Sequence, residues 1–230
     1  MDGWLLRFAD GHTRRANSVN PLRQGSRDLR EKIADCEAAY RARGQPIIFR
    51  ISALAEPGLD HKLGALGYGP PEDETCVIYR ALGRGEIDGG DAYLCETAPS
   101  DEWLDAHARC SGSDDAARRA QRRILQALSV PAVFTATRGA DGHLASLAFG
   151  AVHDTLVCLN LVVTDPALRQ RGLARNAVAA VLAWARDRAG ADGACLPVVA
   201  TNLPARALYE QLGFNTELYR YHYRRRATTA

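Results

Sequence analysis

The sequence lacks several features that would narrow its function at once. Its 29 lysines and arginines, only two of them lysines, are nearly balanced by 27 acidic residues, so the formal net charge is +2. A nucleic-acid-binding domain usually carries a concentrated basic excess, which this balance disfavours. No uninterrupted apolar run approaches the length of a membrane span. We therefore expect a protein that uses neither a nucleic acid nor a membrane as its partner.

The six cysteines form no recognisable metal or disulfide pattern. They are scattered along the chain, without a CxxC pair and without a His/Cys cluster at zinc spacing. A disulfide-stapled secreted domain is usually smaller and richer in cysteine. The opening residues also lack the basic and apolar regions of a signal peptide. We expect a soluble cytoplasmic protein that needs no metal.

Glycine is concentrated in one polar stretch. Residues 83–91, "GRGEIDGGD", have no periodicity and none of the spacing of a dinucleotide-binding loop. They predict a linker between a domain of residues 1–82 and a domain of residues 92–230. Each part is long enough to form a compact unit within a larger chain.

The second domain reads as strands followed by two helices. Residues 132–163 predict three strands joined by hairpins. The stretch "LRQRGLA", residues 168–174, then opens an amphipathic helix that we expect to end at Gly190. A short buried strand follows, then a helix that begins after Asn202 and ends at Gly213. An alternating aromatic strand completes the pattern.

The first domain repeats this order at nearly the same intervals. A predicted hairpin of residues 4–8 and 13–19 leads to a proline, and helices and strands follow as in the second domain. The proline-to-glycine intervals are 23 and 24 residues, and both glycine-to-glycine intervals are 23 residues. Strand–helix units of similar length would also give such intervals, but the matching hairpins favour an internal repeat. The matched positions are Pro21, Gly44 and Gly67 in the first domain and Pro166, Gly190 and Gly213 in the second.

The loop stretch of residues 162–178 and the helix stretch of residues 202–214 resemble two motifs of the GNAT N-acetyltransferase family. "VVTDPALRQRGLARNAV" matches the family's acetyl-CoA loop pattern through Arg169, Gly172 and Ala174, and "NLPARALYEQLGF" is similar to its second signature. The resemblance covers most of residues 92–226. It implies an α/β (α+β) acyl-CoA N-acyltransferase fold, with a mixed, mostly antiparallel sheet flanked by helices. The repeat implies a tandem form with a degenerate N-terminal copy.

Elementary chemistry explains the residue types of the loop. A helix N-terminus leaves backbone N–H groups unpaired and carries a partial positive charge, so it suits a diphosphate. Gly172 allows close approach, and Ala174 keeps the first turn small. A surface loop with solvated arginines is the alternative for the loop taken alone. The expected donors are the main-chain amides of Arg169, Gln170, Arg171, Gly172, Leu173 and Ala174.

The resemblance also implies further site residues. The strand segment of Leu161, Val162, Val163 and Thr164 would pair with the pantetheine arm of acetyl-CoA like an added β-strand. Asn202 would hydrogen-bond the same arm, although an asparagine there is also a good helix cap. Tyr209 would act as the general acid that protonates the departing thiolate.

The residue that would deprotonate the attacking amine is left open. Family members commonly use a glutamate on the strand that reads "TLVCLNLVV" here, and this strand has no carboxylate. We expect water, Glu96 or His153 to take the proton. Cys158 is a poor candidate for a nucleophile, because direct transfer needs no acyl-enzyme.

The first domain has lost these features. Its loop "LRQGSRD" is one residue shorter, and Leu63 and Glu56 stand at the positions of Tyr209 and Asn202. We expect it to bind no acetyl-CoA. For the whole chain the sequence predicts transfer of an acetyl group to a primary amine of a small molecule or amino-acid-like acceptor. A non-catalytic acyl-CoA-binding module is the alternative, and the chain is expected to be a monomer (a pseudo-dimer of its two copies) or a homodimer.

Overall fold

The computed structural model of the protein describes residues 1–83 and 94–226. The predicted linker at 83–91 lies almost wholly outside these ranges, so the boundary between the two predicted domains stays a prediction. No helix in the described ranges is long and apolar enough to cross a membrane. In chain order the elements are β1 (Trp4–Leu6), β2 (Val19–Pro21), α1 (Leu29–Arg41), β3 (Ile48–Ser52), α2 (Leu59–Ala65), β4 (Glu72–Ala81), β5 (Leu94–Glu96), α3 (Asp101–Ser111), α4 (Asp115–Gln126), β6 (Ala132–Arg138), β7 (Leu144–His153), β8 (Leu156–Thr164), α5 (Leu173–Asp187), β9 (Gly193–Val199), α6 (Leu203–Gln211) and β10 (Thr216–Arg225).

The chain divides into two compact units that are not contiguous in sequence. The first unit consists of Met1–Cys76, Val199–Thr201 and the chain from Tyr219 onward, and the second consists of Val77–Val198 and Asn202–Leu218. Strands β4 and β10 each contribute residues to both units. The second half of the last strand therefore belongs to a unit built mainly from the start of the chain.

The first unit has a four-stranded sheet in the order β1, β2, β3, β10. The β2–β3 pair is parallel, and the pairs on either side of it are antiparallel. Helices α1 and α2 pack Ile33, Tyr40 and Leu63 against Val19 and Phe49 of the sheet, and none of these side chains is more than 1% exposed. Each large apolar side chain buried in this way contributes roughly 1.5–3 kcal/mol to folding.

The predicted hairpin of residues 4–8 and 13–19 is wrong in its second strand. Residues Arg14–Ala16 form a 3-10 helix, and only β1 and the short strand β2 pair. The cause is Asn17, whose side-chain oxygen accepts the N–H groups of Ala9 and Gly11 while its amide donates to the carbonyls of His12 and Thr13. These bonds satisfy the loop backbone locally, so the strand pairing stops early.

The second unit contains strands in the order β9, β8, β7, β6, β5, and the part of β4 from Val77 onward lies next to β9. The pairs β5–β6, β6–β7 and β7–β8 are antiparallel, whereas β8–β9 is parallel. The predicted mixed, mostly antiparallel sheet is confirmed. Strands β6, β7 and β8 are the three strands that the hairpin pattern predicted.

Helices cover both faces of the second unit's sheet. Helix α5 packs so closely on one face that a Cβ atom at Gly150 would lie 2.4 Å from Val181. On the other face, Trp103 of α3 meets Phe134 edge to face at 5.2 Å, and Phe134 stacks on Phe149 at 4.8 Å. Both helices also contact β8, so the strand lies between two packed layers.

Candidate functional site

The residues that the two motifs single out meet at one groove in the second unit. The groove has a volume of about 580 Å³ and lies between the end of β8, the loop before α5 and helix α6. Leu161 and Arg171 are the two predicted site residues that do not line it. The predicted residues that do line it are Val162, Val163, Thr164, Arg169, Gln170, Gly172, Leu173, Ala174, Asn202 and Tyr209.

Strand β8 separates from β9 at the groove. Its registered pairs with β9 run from Leu156 to Cys158, and none is found beyond Cys158 in the described chain. The register with β7 then shifts, and Leu161 adopts a φ of +54°. This bulge turns Leu161 toward the apolar cluster around Phe134 and sends the following backbone along the groove. Val162–Thr164 therefore have β7 on one side and the groove on the other.

The loop before α5 presents unpaired backbone donors. Gly172 precedes the helix with a φ of +78°, and no side chain of the described residues caps the helix there. The first helical bond runs from the N–H of Asn176 to the carbonyl of Gly172 at 3.2 Å. The N–H groups of Leu173, Ala174 and Arg175 therefore lie before the first intrahelical bond. Together with the helix dipole they make this end of the groove attractive to an anion.

Asn202 begins α6 and lines the groove at the same time. Its side-chain oxygen accepts the N–H of Ala205 at 3.2 Å, so the residue is a helix cap, the alternative that its type left open. The cap fixes the start of α6 beside the groove. Pro204, Ala205 and Leu208 of the same helix also line it, together with Leu168. Sequence reasoning did not name these apolar residues, although Ala205 and Leu208 share a helix face with Tyr209.

Tyr209 is buried in the wall of the groove. Only 7% of the residue is exposed, and its ring meets Phe214 edge to face at 6.0 Å. Burial raises the pKa of Tyr209 to about 12. The phenol is therefore neutral near pH 7 and carries a proton that it can donate. Phe214 is buried as well.

The groove is lined by no carboxylate and no histidine in the described chain. Glu96 pairs with Phe134 at the far strand of the sheet, three strands from β8, which corresponds to roughly 14 Å at the usual strand spacing. His153 is 80% exposed in its side chain and lies 3.3 Å from Asp154 in a hairpin turn. Neither residue is placed to take a proton directly from a ligand in the groove.

Cys158 contacts a second thiol instead of the groove. Its hydrogen bond with Cys195, together with burial, raises the pKa of the Cys195 thiol. Cys158 is not among the described residues that line the groove, and its dismissal as a nucleophile stays a prediction.

The corresponding loop of the first unit has its backbone donors occupied. The N–H of Gly25 donates to Glu56 at 3.1 Å, and the N–H groups of Ser26 and Arg27 donate to the carboxylate of Asp2 at 3.1 and 3.0 Å. These backbone bonds hold the pKa of Asp2 down at about 2. Asp28 caps the first turn of α1 as well. In the first unit, carboxylates of the chain itself thus accept the hydrogen bonds of the loop amides. The corresponding amides of the second unit's loop have no such acceptor in the described chain.

Comparison with known proteins agrees with the motifs and the fold. The family model described as "Probable histone acetyltransferase Rv0428c C-terminal" matches residues 1–226. The uncharacterized N-acetyltransferase YobR of Bacillus subtilis (strain 168) is 27% identical over 226 residues, which are 96% of this chain and 89% of that protein.

Solved structures share the fold over nearly the whole chain. A GCN5-related N-acetyltransferase from Kribbella flavida has a TM-score of 0.69 at 18% identity, covering 98% of this chain and 87% of that one. A tandem GNAT protein from the clavulanic acid biosynthesis pathway has a TM-score of 0.64 at 15% identity, covering 85% of this chain and 68% of that one. With the family match over residues 1–226, these findings make the chain a member of the family of the Rv0428c C-terminal region and an N-acetyltransferase of the GNAT type.

Proposed function

We propose that the protein moves an acetyl group from acetyl-CoA to a primary amine of a small molecule or amino-acid-like acceptor, in the groove of the second unit. One observation carries the proposal. The uncapped end of α5, the free edge of β8 and the buried phenol of Tyr209 line the same groove. Acetyl-CoA has a diphosphate, an amide-rich pantetheine arm and a thioester. In the proposal these groups bind to the helix end, the strand edge and the phenol, in that order.

The donor side is the better defined part of the proposal. The diphosphate of acetyl-CoA would accept bonds from the backbone N–H groups at Gly172, Leu173 and Ala174, and Arg175 would add attraction from the groove wall. The pantetheine amides would bond to the backbone of Val162–Thr164, which β9 leaves unpaired. The amide of Asn202, whose oxygen already caps α6, would donate to the same arm.

The chemical step is direct transfer. The amine nitrogen attacks the thioester carbonyl, a C–N bond forms, and the C–S bond breaks. The leaving sulfur takes the proton of the Tyr209 hydroxyl, which is neutral because burial raises its pKa. The amine loses its own proton to water, since no carboxylate or histidine of the described chain lines the groove. Water then returns a proton to Tyr209.

We further propose that the first unit is a degenerate copy of the second. Both follow the order strand, loop, helix, strand, helix, strand, and in both the first two of these strands pair in parallel. The second helix of each unit, α2 or α6, ends in the same way. The N–H of Tyr68 donates to the carbonyl of Leu63 after α2, and the N–H of Phe214 donates to the carbonyl of Tyr209 after α6. The carboxylates on the first unit's loop explain why this copy would not bind a diphosphate.

Two measurements on the full chain test the function. Saturating acetyl-CoA at about 100 times its Kd should stabilise the fold by roughly 2.7 kcal/mol and raise the Tm by about 5–10 °C. Free thiol release should then be followed with a panel of small amines, amino acids, polyamines and a peptide with a free N-terminus. Release that depends on one class of amine identifies the acceptor. No Tm shift with acetyl-CoA contradicts the donor assignment, and thiol release with the peptide alone contradicts the small-molecule acceptor.

A further inference from the structure

Arginine and tyrosine side chains gather on the face of the first unit's sheet that α1 and α2 do not cover. The helices pack on the side of Val19, Phe49 and Ile51, so the alternate residues of these strands point the other way. On that second face, Arg50 of β3 lies directly opposite Tyr223 of β10 in the strand register. The cluster comprises Arg7, Arg15, Arg50, Tyr219, Tyr221 and Tyr223, and we call it the Arg/Tyr face.

Arg50 is at the centre of the Arg/Tyr face and has no carboxylate partner among the described residues. Its guanidinium lies 3.8 Å from the ring centre of Tyr221. Within the described ranges it makes only two long hydrogen bonds, to the side chains of Asn20 and Tyr219, both at 3.4 Å. Its Nε is buried without a hydrogen-bond acceptor in the described chain. A half-buried guanidinium normally bonds to an anion, which these neutral groups do not replace.

A second cation lies close to it. Arg7 donates only to the backbone carbonyl of Arg15, at 3.4 Å, in the described ranges. Partial burial lowers the pKa of the Arg7 guanidinium, and the charges of Arg50 and Arg15 lower it further. Like charges brought together on one face are costly unless an anion compensates them. At the Tyr223 edge of the same face, Arg14 lies 4.7 Å over the Tyr223 ring and does have acidic partners, Glu72 and Asp73, whereas Arg7 and Arg50 have none among the described residues.

The Arg/Tyr face has an inner layer of tyrosines, which guanidinium groups cover, and an exposed outer edge. Tyr221 and Tyr223 are 2% and 5% exposed and form the inner layer, whereas Tyr219, 40% exposed, forms the outer edge together with Arg7. Arginine forks recognise oxyanions by paired, charge-assisted hydrogen bonds. We propose that the Arg/Tyr face of the first unit is a binding site for the oxyanion group, carboxylate or phosphate, of a small ligand, held by Arg7 and Arg50.

The test uses inorganic phosphate and acetate as separate probes, titrated against the full chain at constant ionic strength set with sodium chloride. The Tm and the heat of binding are followed for the wild type, Arg50→Gln, Arg50→Lys and Arg30→Gln. Arg30 is an exposed arginine of α1 in the same unit and controls for the loss of one positive charge. Phosphate that still binds to Arg50→Gln binds at other places, such as the end of α5. The binding that this variant loses relative to the wild type is therefore the binding at the Arg/Tyr face.

We expect saturable binding of at least one probe, weakened about tenfold or more in Arg50→Gln and unchanged in Arg30→Gln. Arg50→Lys should lie between them, because it keeps the charge but loses the planar fork. The probe that binds more tightly tells phosphate from carboxylate. If Arg50→Gln does not fold, Arg7→Gln at the outer edge gives the same comparison. If Arg50→Gln or Arg7→Gln binds the probe as tightly as the wild type, or if neither probe has an effect beyond that of chloride, the cluster only packs cations on aromatic rings and the proposal is overturned.

Discussion

At the residue scale, the chemistry of the proposed transfer depends most on the hydroxyl of Tyr209. Replacing Tyr209 with Phe removes one oxygen from a buried wall and leaves the ring and its contact with Phe214. We expect kcat to fall by about 10²-fold or more, within the range of general acid catalysis, while the Tm shift with acetyl-CoA is retained. Tyr68→Phe is the matched control, because Tyr68 is a buried tyrosine of the first unit whose hydroxyl bonds to Glu37. An unchanged kcat in Tyr209→Phe removes the residue from its role.

The raised pKa of Tyr209 adds a prediction on pH. Since burial raises it to about 12, the phenol keeps its proton through the alkaline range accessible to the assay. We expect no fall in kcat from ionisation of Tyr209 between pH 7 and about pH 10.5. Measuring kcat over this range for the wild type and Tyr209→Phe checks it. A descending limb near pH 9 that only the wild type shows would mean that the phenol ionises far more easily than its burial implies.

Gly172 combines backbone strain with a position at the groove. A Cβ there meets no atom of the described chain within 4 Å, but the φ of +78° disfavours any side chain. Gly172→Ala should cost about 1–2 kcal/mol of stability and also weaken acetyl-CoA binding, because the methyl group stands where the diphosphate would approach. Gly142→Ala has the same open space and a φ of +82° in a hairpin turn away from the groove. Calorimetry should show a similar loss of stability in both variants and a raised Kd in the first alone; equal Kd values would count against the loop as the donor site.

At the scale of elements, Asp60 ties helix α2 to strand β10. Its carboxylate accepts two bonds from Arg224 at 2.8 Å and lies 2.9 Å from a ring nitrogen of His222. The Arg224 bonds are the main cause that lowers the pKa of Asp60, which stands at about 2 against a usual 3.8. A carboxyl whose folded-state pKa is depressed stabilises the fold above its unfolded pKa and loses that effect as the pH falls toward the folded value.

We therefore expect Asp60→Asn to flatten the acid part of the stability curve. The wild type should lose more Tm between about pH 5 and pH 2 than the variant does, and the two should differ most above pH 5. Asp154→Asn is the control, because its side chain is 86% exposed in a turn that asparagine tolerates. Thermal melts over this range check the prediction, and parallel curves for the wild type and Asp60→Asn would contradict it.

At the scale of the whole molecule, the two units differ in the hydrogen bonding of their loops. The loop of the second unit leaves its donors unpaired, whereas Asp2 and Glu56 hold those of the first. A titration by calorimetry should give one acetyl-CoA per chain. Two sites of comparable affinity would contradict the assignment of the first unit as the degenerate copy, and Asp2→Asn should not create a second site, since Glu56 and Asp28 still occupy part of the loop.

Local signals in the sequence were sufficient for most elements and for the groove's main residues. Helices α1, α5 and α6, strands β6 to β8 and the loop at 168–174 follow from periodicity, turn residues and two motifs, because these depend on neighbours in the chain. Helix propensity and capping act within a few residues, so a single sequence records them. Asn17 is an exception to this success of local signals. Its side-chain hydrogen bonds hold the preceding residues in a 3-10 helix where the sequence predicted a strand.

What only the tertiary structure decided depends on contacts between distant parts of the chain. Tyr221 pairs with Ser52, Glu56 reaches Gly25, and Arg50 meets tyrosines of the last strand. No local pattern encodes such meetings, since they arise from packing free energy summed over the fold. The sequence by itself therefore determined which loop resembles a donor site. The folded chain decided that the first unit's loop is held by its own carboxylates, that Leu161 turns away from the groove, and that arginines and tyrosines share one face.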